Sequence, residues 1–155
     1  MRIQTVLWFS CISLSAMVAG TSKQGPCALL TKADVQEAVG AAVSEGVINT
    51  TNASVCDFNV GDTGSVVSIM LTAKAPGDSA QKTVAELKKQ SIKGEVIPGF
   101  GNGAYAASPG YGMQQLGVYK ESHHVIVTVF LLGAPETKSK TVAQAVMRKA
   151  LARVP

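Results

Sequence analysis

His124-Val125-Ile126-Val127-Thr128-Val129-Phe130-Leu131-Leu132 is the stretch on which the fold turns. It is rich in β-branched residues, and both of its alternating faces are apolar. Such a run fits a strand at the centre of a sheet, with one face under helices. Gly133-Ala134-Pro135 stops it. On its N-terminal side Glu121-Ser122-His123 reads as a turn and Met113–Lys120 as a second strand, so the two form a hairpin. On its C-terminal side a helix is expected from Glu136 to about Arg153. Ala143, Val146, Met147, Ala150, Leu151 and Val154 fall on one stripe of it. Arg148, Lys149 and Arg153 lie toward its end, where the helix dipole favours cations.

The same grammar recurs upstream. Cys27–Gly40 reads as a compact helix with both ends written. Thr31 is the N-cap with Asp34 three residues on, Leu30 can staple to Val35, and Gly40 can take a left-handed C-terminal position. Asp34 and Glu37 are therefore first-turn helix charges and not an acid–base pair. Ala41–Asn59 is a loop with a weak strand, merging into a strand at Val55–Val60. The turn Gly61-Asp62-Thr63-Gly64 leads to a long apolar strand at Ser65–Ala73. Ala75-Pro76-Gly77 then breaks the chain. Asp78 or Ser79 caps a helix running to about Ile92, with Ala80, Val84 and Leu87 inward and Lys82, Lys88, Lys89 and Lys93 facing water. The order helix, hairpin, helix, extended segment, hairpin, helix predicts an α+β fold. Its expected form is a two-layer sandwich, with a mostly antiparallel sheet of about five strands and three helices covering one face.

The chain has 155 residues, 46% apolar and 15% charged, enough for one ordinary domain with a real core. Residues 1–20 read as a signal peptide: Arg2, an apolar run from Val6, and small residues at Val18-Ala19-Gly20. Thr21–Pro26 is a polar leader, and 27–155 is the expected domain. Thr21 stands where a lipid-accepting cysteine would stand, so no stable membrane anchor is expected after cleavage. Removing residues 1–20 removes Arg2 and no acidic residue, lowering the net charge from +4 to +3. That is too weak, and too interleaved in sign, to argue for nucleic acid. Cleavage also leaves two cysteines, Cys27 and Cys56. In an exported domain two cysteines most often form a disulfide, here closing a loop of about 30 residues. Unpaired structural cysteines are the alternative, and no His neighbour or C-x-x-C spacing points to a reactive thiol.

Gly94–Gly112, GEVIPGFGNGAYAASPGYG, is the stretch most suggestive of a site. Gly99-Phe100-Gly101-Asn102-Gly103 is G-x-G-x-G, not the dinucleotide pattern, and it leads toward a strand, leaving no helix N-terminus for a phosphate. His123 and His124 are adjacent and would point to opposite faces of a strand, so no metal site is expected. No nucleophile motif of the G-x-S-x-G, S-x-x-K or H-E-x-x-H type occurs. These readings leave no catalytic residue and no cofactor to assign. The aromatic and backbone surface of the glycine-rich stretch remains, with Phe100, Asn102, Tyr105 and Tyr111 as the candidate binding surface. The stretch otherwise reads as a bend-rich connector from the second helix to the second hairpin.

Pro26-Cys27-Ala28-Leu29-Leu30-Thr31, Cys56-Asp57-Phe58 and Val96-Ile97-Pro98-Gly99-Phe100-Gly101-Asn102-Gly103-Ala104-Tyr105 together carry a resemblance. The chain resembles a group of small exported bacterial proteins, many of them lipoproteins, that share a domain of unknown function. Their pattern is a P-C-x-L-L-T opening, a second cysteine, a V-P-G-L-G-D-A-A-Y-like middle and a closing helix. Asn102-Gly103 departs from the acidic–small pair of that middle, and Thr21 from the lipid-bearing cysteine. The resemblance implies an envelope or secreted α+β domain that binds something. The expected location is periplasmic or extracellular, and the expected partner is an envelope protein or a small ligand. It supplies no catalytic residues. The expected function is a non-enzymatic binding domain; a small envelope hydrolase and an accessory structural envelope protein are the alternatives.

Overall fold

In the computed structural model, residues 25–101 and 103–155 are described. The expected signal peptide, residues 21–24 of the leader and Asn102 lie outside the described residues. A short 3-10 turn at Pro26–Ala28 precedes α1 (Lys32–Val39). The order continues β1 (Val47–Ile48), β2 (Val55–Val60), β3 (Ser65–Ala73), α2 (Ala80–Lys89), β4 (Lys93–Val96), β5 (Ala104–Gly110), β6 (Met113–Lys120), β7 (His123–Phe130) and α3 (Glu136–Leu151). The strands form one seven-stranded sheet in the order β1-β2-β3-β7-β6-β5-β4, and every neighbouring pair is antiparallel. β7 is central, as its two apolar faces require. It pairs with β3 from Val66↔Phe130 to Ala73↔His123, and with β6 from Gln114↔Val129 to Lys120↔His123.

The α+β reading holds, but the sheet has seven strands and not about five. The additional strands come mainly from the supposed connector, Gly94–Gly112, which contributes most of β4 and all of β5. The glycines gather at its breaks: Gly99 and Gly101, then Gly110 and Gly112, all with positive φ. Between the breaks Ala104–Ser108 is left free to pair.

The helices also divide differently from the expected single layer. Val125, Val127 and Val129 of β7 and Leu116 and Val118 of β6 share a buried cluster with Val142, Val146 and Met147 of α3 and Val35 and Val39 of α1. Alternation sends Tyr105, Tyr119 and His124 to the opposite face, where Ala80, Val84 and Leu87 of α2 pack over the two tyrosines. α1 and α3 thus cover one face, and α2 covers part of the other. Two tyrosines on the far face need a cover, and the amphipathic α2 crosses from inner strand β3 to edge strand β4 to supply it.

Local capping follows the sequence closely. The Thr31 side chain accepts from the Asp34 N–H, the Thr31 N–H donates to Asp34 Oδ2 at 2.8 Å, and Gly40 closes α1 at φ 74°. Ser79 caps α2. Cys27 and Cys56 form a disulfide with Cα atoms 5.1 Å apart, tying the 3-10 turn ahead of α1 to β2. Among the described residues no helix is long and apolar enough to cross a membrane.

Candidate functional site

α3 lies over β6 and β7 and stops short of β4. On the α3 side of the sheet, the β4–β5 end is therefore open. Alternation places Ala106 and Ser108 of β5 on that face, and the register sets Glu95 opposite Ala106 and Lys93 opposite Ser108. The result is a trough of about 340 Å³ with a floor of small side chains. Lys93 and Glu95 stand on one wall, and Glu136 and Lys140 of α3 on the other. The Ser108 hydroxyl lies 3.0 Å from Gln114 Oε1 and 3.3 Å from Glu136 Oε1, and it is the donor to either. Glu136 also meets Lys140 at 3.6 Å. Lys93 and Glu95 make no ion pair among the described residues. A smaller, more apolar recess of about 70 Å³ adjoins the trough along Ile97, Leu116 and Ala143.

The other end of the cleft runs beneath the β5–β6 turn, past Ser91, Pro109 and Met113. Gly110 pairs with Met113, leaving Tyr111 and Gly112 as the two turn residues, with φ of 54° and 78°. Positive φ at both positions is the type I′ hairpin turn, which favours Asn-Gly. A tyrosine there is held in the left-handed region, at a cost of roughly 1–2 kcal/mol. Its side chain is 93% exposed and offsets none of that cost by packing.

Tyr105 occupies a different place. It is 3% exposed, under α2, and its ring lies across Gly117 of β6. Its hydroxyl is 3.1 Å from His124 Nε2. The His124 ring stacks on Tyr119 at 4.1 Å between centroids, and the Tyr119 hydroxyl meets Thr83 Oγ1 at 2.7 Å. Burial pushes the Tyr105 phenol well above its ordinary range, and the nearby Tyr119 adds to the shift. Burial also lowers the His124 pKa, against a weaker upward pull from Asp78. Both groups are therefore neutral at pH 7 and form a closed polar–aromatic cluster. No serine or carboxylate hydrogen-bonds to His124 among the described residues, so the Ser–His–carboxylate arrangement that a hydrolase of the triad type needs is not assembled there.

Of the four expected surface residues, Tyr111 is exposed, Tyr105 is buried on the far face, and Asn102 lies outside the described residues. Phe100 is half-buried beneath the Arg148 guanidinium, 4.6 Å from its ring centroid, and packs against the main core. The structure does not bring Phe100, Tyr105 and Tyr111 together. His123 and His124 take opposite faces of β7, and no group of three or more potential metal ligands gathers among the described residues. Asp34 and Glu37 anchor α3: Arg153 Nη1 lies 2.7 Å from Asp34, and Lys149 pairs with Glu37. The Arg153 hydrogen bond holds the Asp34 carboxyl well below the usual carboxylate range.

The trough residues Lys93, Glu95, Ser108, Glu136 and Lys140 were not candidates from sequence. They lie on three elements, and only the β4–β5 register and the placement of α3 bring them together. The small-residue alternation Ala104, Ala106, Ser108 was the one local signal. No known protein family, curated protein or solved structure matches this chain.

Proposed function

We propose that the chain is an exported, non-enzymatic binding domain, and that its ligand surface is the trough between β4–β5 and the first turns of α3, with Tyr111 at its rim. The observation that carries this reading is Tyr111: a large aromatic held almost fully exposed in a costly backbone conformation beside the open cleft. Strain of that kind without a packing gain argues for selection on contact with something else. Aromatic side chains on rigid turns also make effective contact surfaces, because little entropy is lost when they bind. The polar walls and small floor suit a segment of an envelope protein or a small polar ligand. The Cys27–Cys56 bond and the signal-like residues 1–20 support export to the periplasm or cell exterior.

The experiment is affinity capture from a bacterial envelope extract by the wild type and by Tyr111→Ser and Lys140→Glu. A component retained by the wild type and lost from both variants, with melting temperatures within a few degrees, supports the reading. Capture unchanged by either substitution contradicts it.

A further inference from the structure

β4 ends the sheet, and among the described residues its outer side carries no strand. The Ile97 N–H donates to the Ala104 carbonyl, which fixes the phase of the β4–β5 ladder. Lys93, Glu95 and Ile97 turn their backbone groups toward β5; Gly94 and Val96 turn theirs outward, to the open edge. Edge strands are usually guarded by short length, charged side chains, bulges or prolines. β4 is short and its proline, Pro98, which has no N–H, comes only after it, so the charges that mark this edge are Lys93 and Glu95. Within the strand, Val96 is 45% exposed, and Lys93 and Glu95 are exposed with opposite charges and no ion-pair partner among the described residues.

The outward groups restrict how another strand can add. For a second copy pairing antiparallel about a two-fold axis, Gly94 or Val96 must face Gly94 or Val96. Setting Gly94 against Val96 places Glu95 directly opposite Glu95 of the second copy, which is repulsive. Setting Val96 against itself brings Gly94 opposite Pro98 of the second copy, where a ladder donor is missing. Setting Gly94 against itself avoids both problems. Lys93 then faces Glu95 of the second copy, Glu95 faces its Lys93, and Ile92 faces its Val96. Gly94 exchanges both backbone hydrogen bonds at the axis, and the Val96 N–H reaches the Ile92 carbonyl of the second copy. The Ile92 N–H is already satisfied by the Leu87 carbonyl. The helices fit this arrangement. α2 lies over β4 and β5, with Leu87 against Gly94 and Val84 beside Tyr105, so the two-fold axis brings the two α2 helices side by side on one face of the joined sheet.

We propose that the protein forms a homodimer through β4, antiparallel and centred on Gly94, with reciprocal Lys93–Glu95 pairs across the junction. The two sheets become one, and Lys93 and Glu95 of each copy join the β4 wall of the other copy's trough. The dimer does not depend on the binding function proposed above.

The test is charge reversal and exchange, read by sedimentation equilibrium over a concentration series reaching the submillimolar range. Lys93→Glu alone and Glu95→Lys alone each turn two attractive pairs into two repulsive ones and should weaken dimerisation about tenfold or more. The double variant Lys93→Glu/Glu95→Lys should restore it to within a few-fold of wild type. Lys93→Cys mixed with Glu95→Cys should give an intermolecular disulfide under mild oxidation, while either alone should give little. Both positions are exposed, and circular dichroism checks that the variants fold. A wild type monomeric throughout the series, single reversals without effect, or a double variant as weak as the singles would each overturn the proposal. An edge that captures some other strand instead would appear as the first of these.

Discussion

Placing an alanine at Gly117 is the sharpest probe of the α2 face. A Cβ at this position would sit 2.2 Å from Tyr105 Cζ, 2.3 Å from Cε1 and 2.5 Å from the hydroxyl, against 3.4 Å or more for an ordinary contact. The Tyr105 ring must therefore move by about an ångström. Moving it strains the 3.1 Å contact with His124 Nε2 and loosens the packing with Ala80 and Val84. Overpacking of this size costs about 1–3 kcal/mol, and the lost polar contact about 1 more, so Gly117→Ala should destabilise by roughly 2–4 kcal/mol. Tyr105→Ala alone removes a buried aromatic and should cost about 3–5 kcal/mol. With Tyr105 already gone, the three atoms nearest that Cβ are gone too and the substitution gains from reduced backbone entropy, so Gly117→Ala should be neutral or stabilise by up to about 1 kcal/mol. Urea unfolding followed by far-UV circular dichroism, on the wild type and the three variants, gives the coupling energy. A coupling of at least about 2 kcal/mol is expected. If the two substitutions add within about 0.5 kcal/mol, Tyr105 does not lie on Gly117, and the assignment of Tyr105 to the fold and not to a binding surface fails.

Two further perturbations follow from the first helix. Replacing Cys27 and Cys56 by serine opens a loop with a sequence separation of 29 and should lower stability by about 3–4 kcal/mol, seen as a fall in the urea midpoint and matched by reducing the wild type. The depressed Asp34 pKa means that the unfolded chain binds the proton more readily, so the Arg153–Asp34 contribution is present above about pH 4 and is lost as pH falls below it. Because the pair is partly solvated, its worth is about 1 kcal/mol, and Asp34→Asn should flatten the stability–pH curve in that acid range relative to wild type. Tyr111→Asn should raise stability by about 0.5–1 kcal/mol in thermal unfolding, since asparagine tolerates the left-handed turn, while weakening ligand capture.

The strands β3 and β7 were legible as β-branched runs between turn residues, and β2 and β6 as the segments those turns join to them in hairpins. Thr31, Asp34 and Gly40 marked α1 for the same local reason. β4 and β5 were hidden by composition. Glycines that end strands look, in a linear reading, like glycines that prevent them, and Ala104–Ser108 has no β-branched residue to announce it. The side of the sheet that α2 takes was also illegible. Its stripe of Ala80, Val84 and Leu87 says that it buries a face, and only the strand register says which one. That register moved Tyr105 from the expected surface into the interior, and it created the trough from Lys93, Ser108, Glu136 and Lys140, which lie far apart along the chain. Tyr111 alone was both a sequence candidate and exposed, on the turn whose Gly110 and Gly112 line the end of the cleft.

The central claim is that ligands meet the molecule at the trough and not over α2. A photo-crosslinking amino acid placed at Gln144, on the α3 wall of the recess adjoining the trough, and separately at Lys82, on the exposed side of α2, tests it directly when each variant is mixed with a bacterial envelope extract and irradiated. A discrete adduct from position 144 that is absent from position 82, and that is lost when Tyr111→Ser is added, is the predicted result. Adducts of equal yield from both positions, or only from position 82, would contradict it.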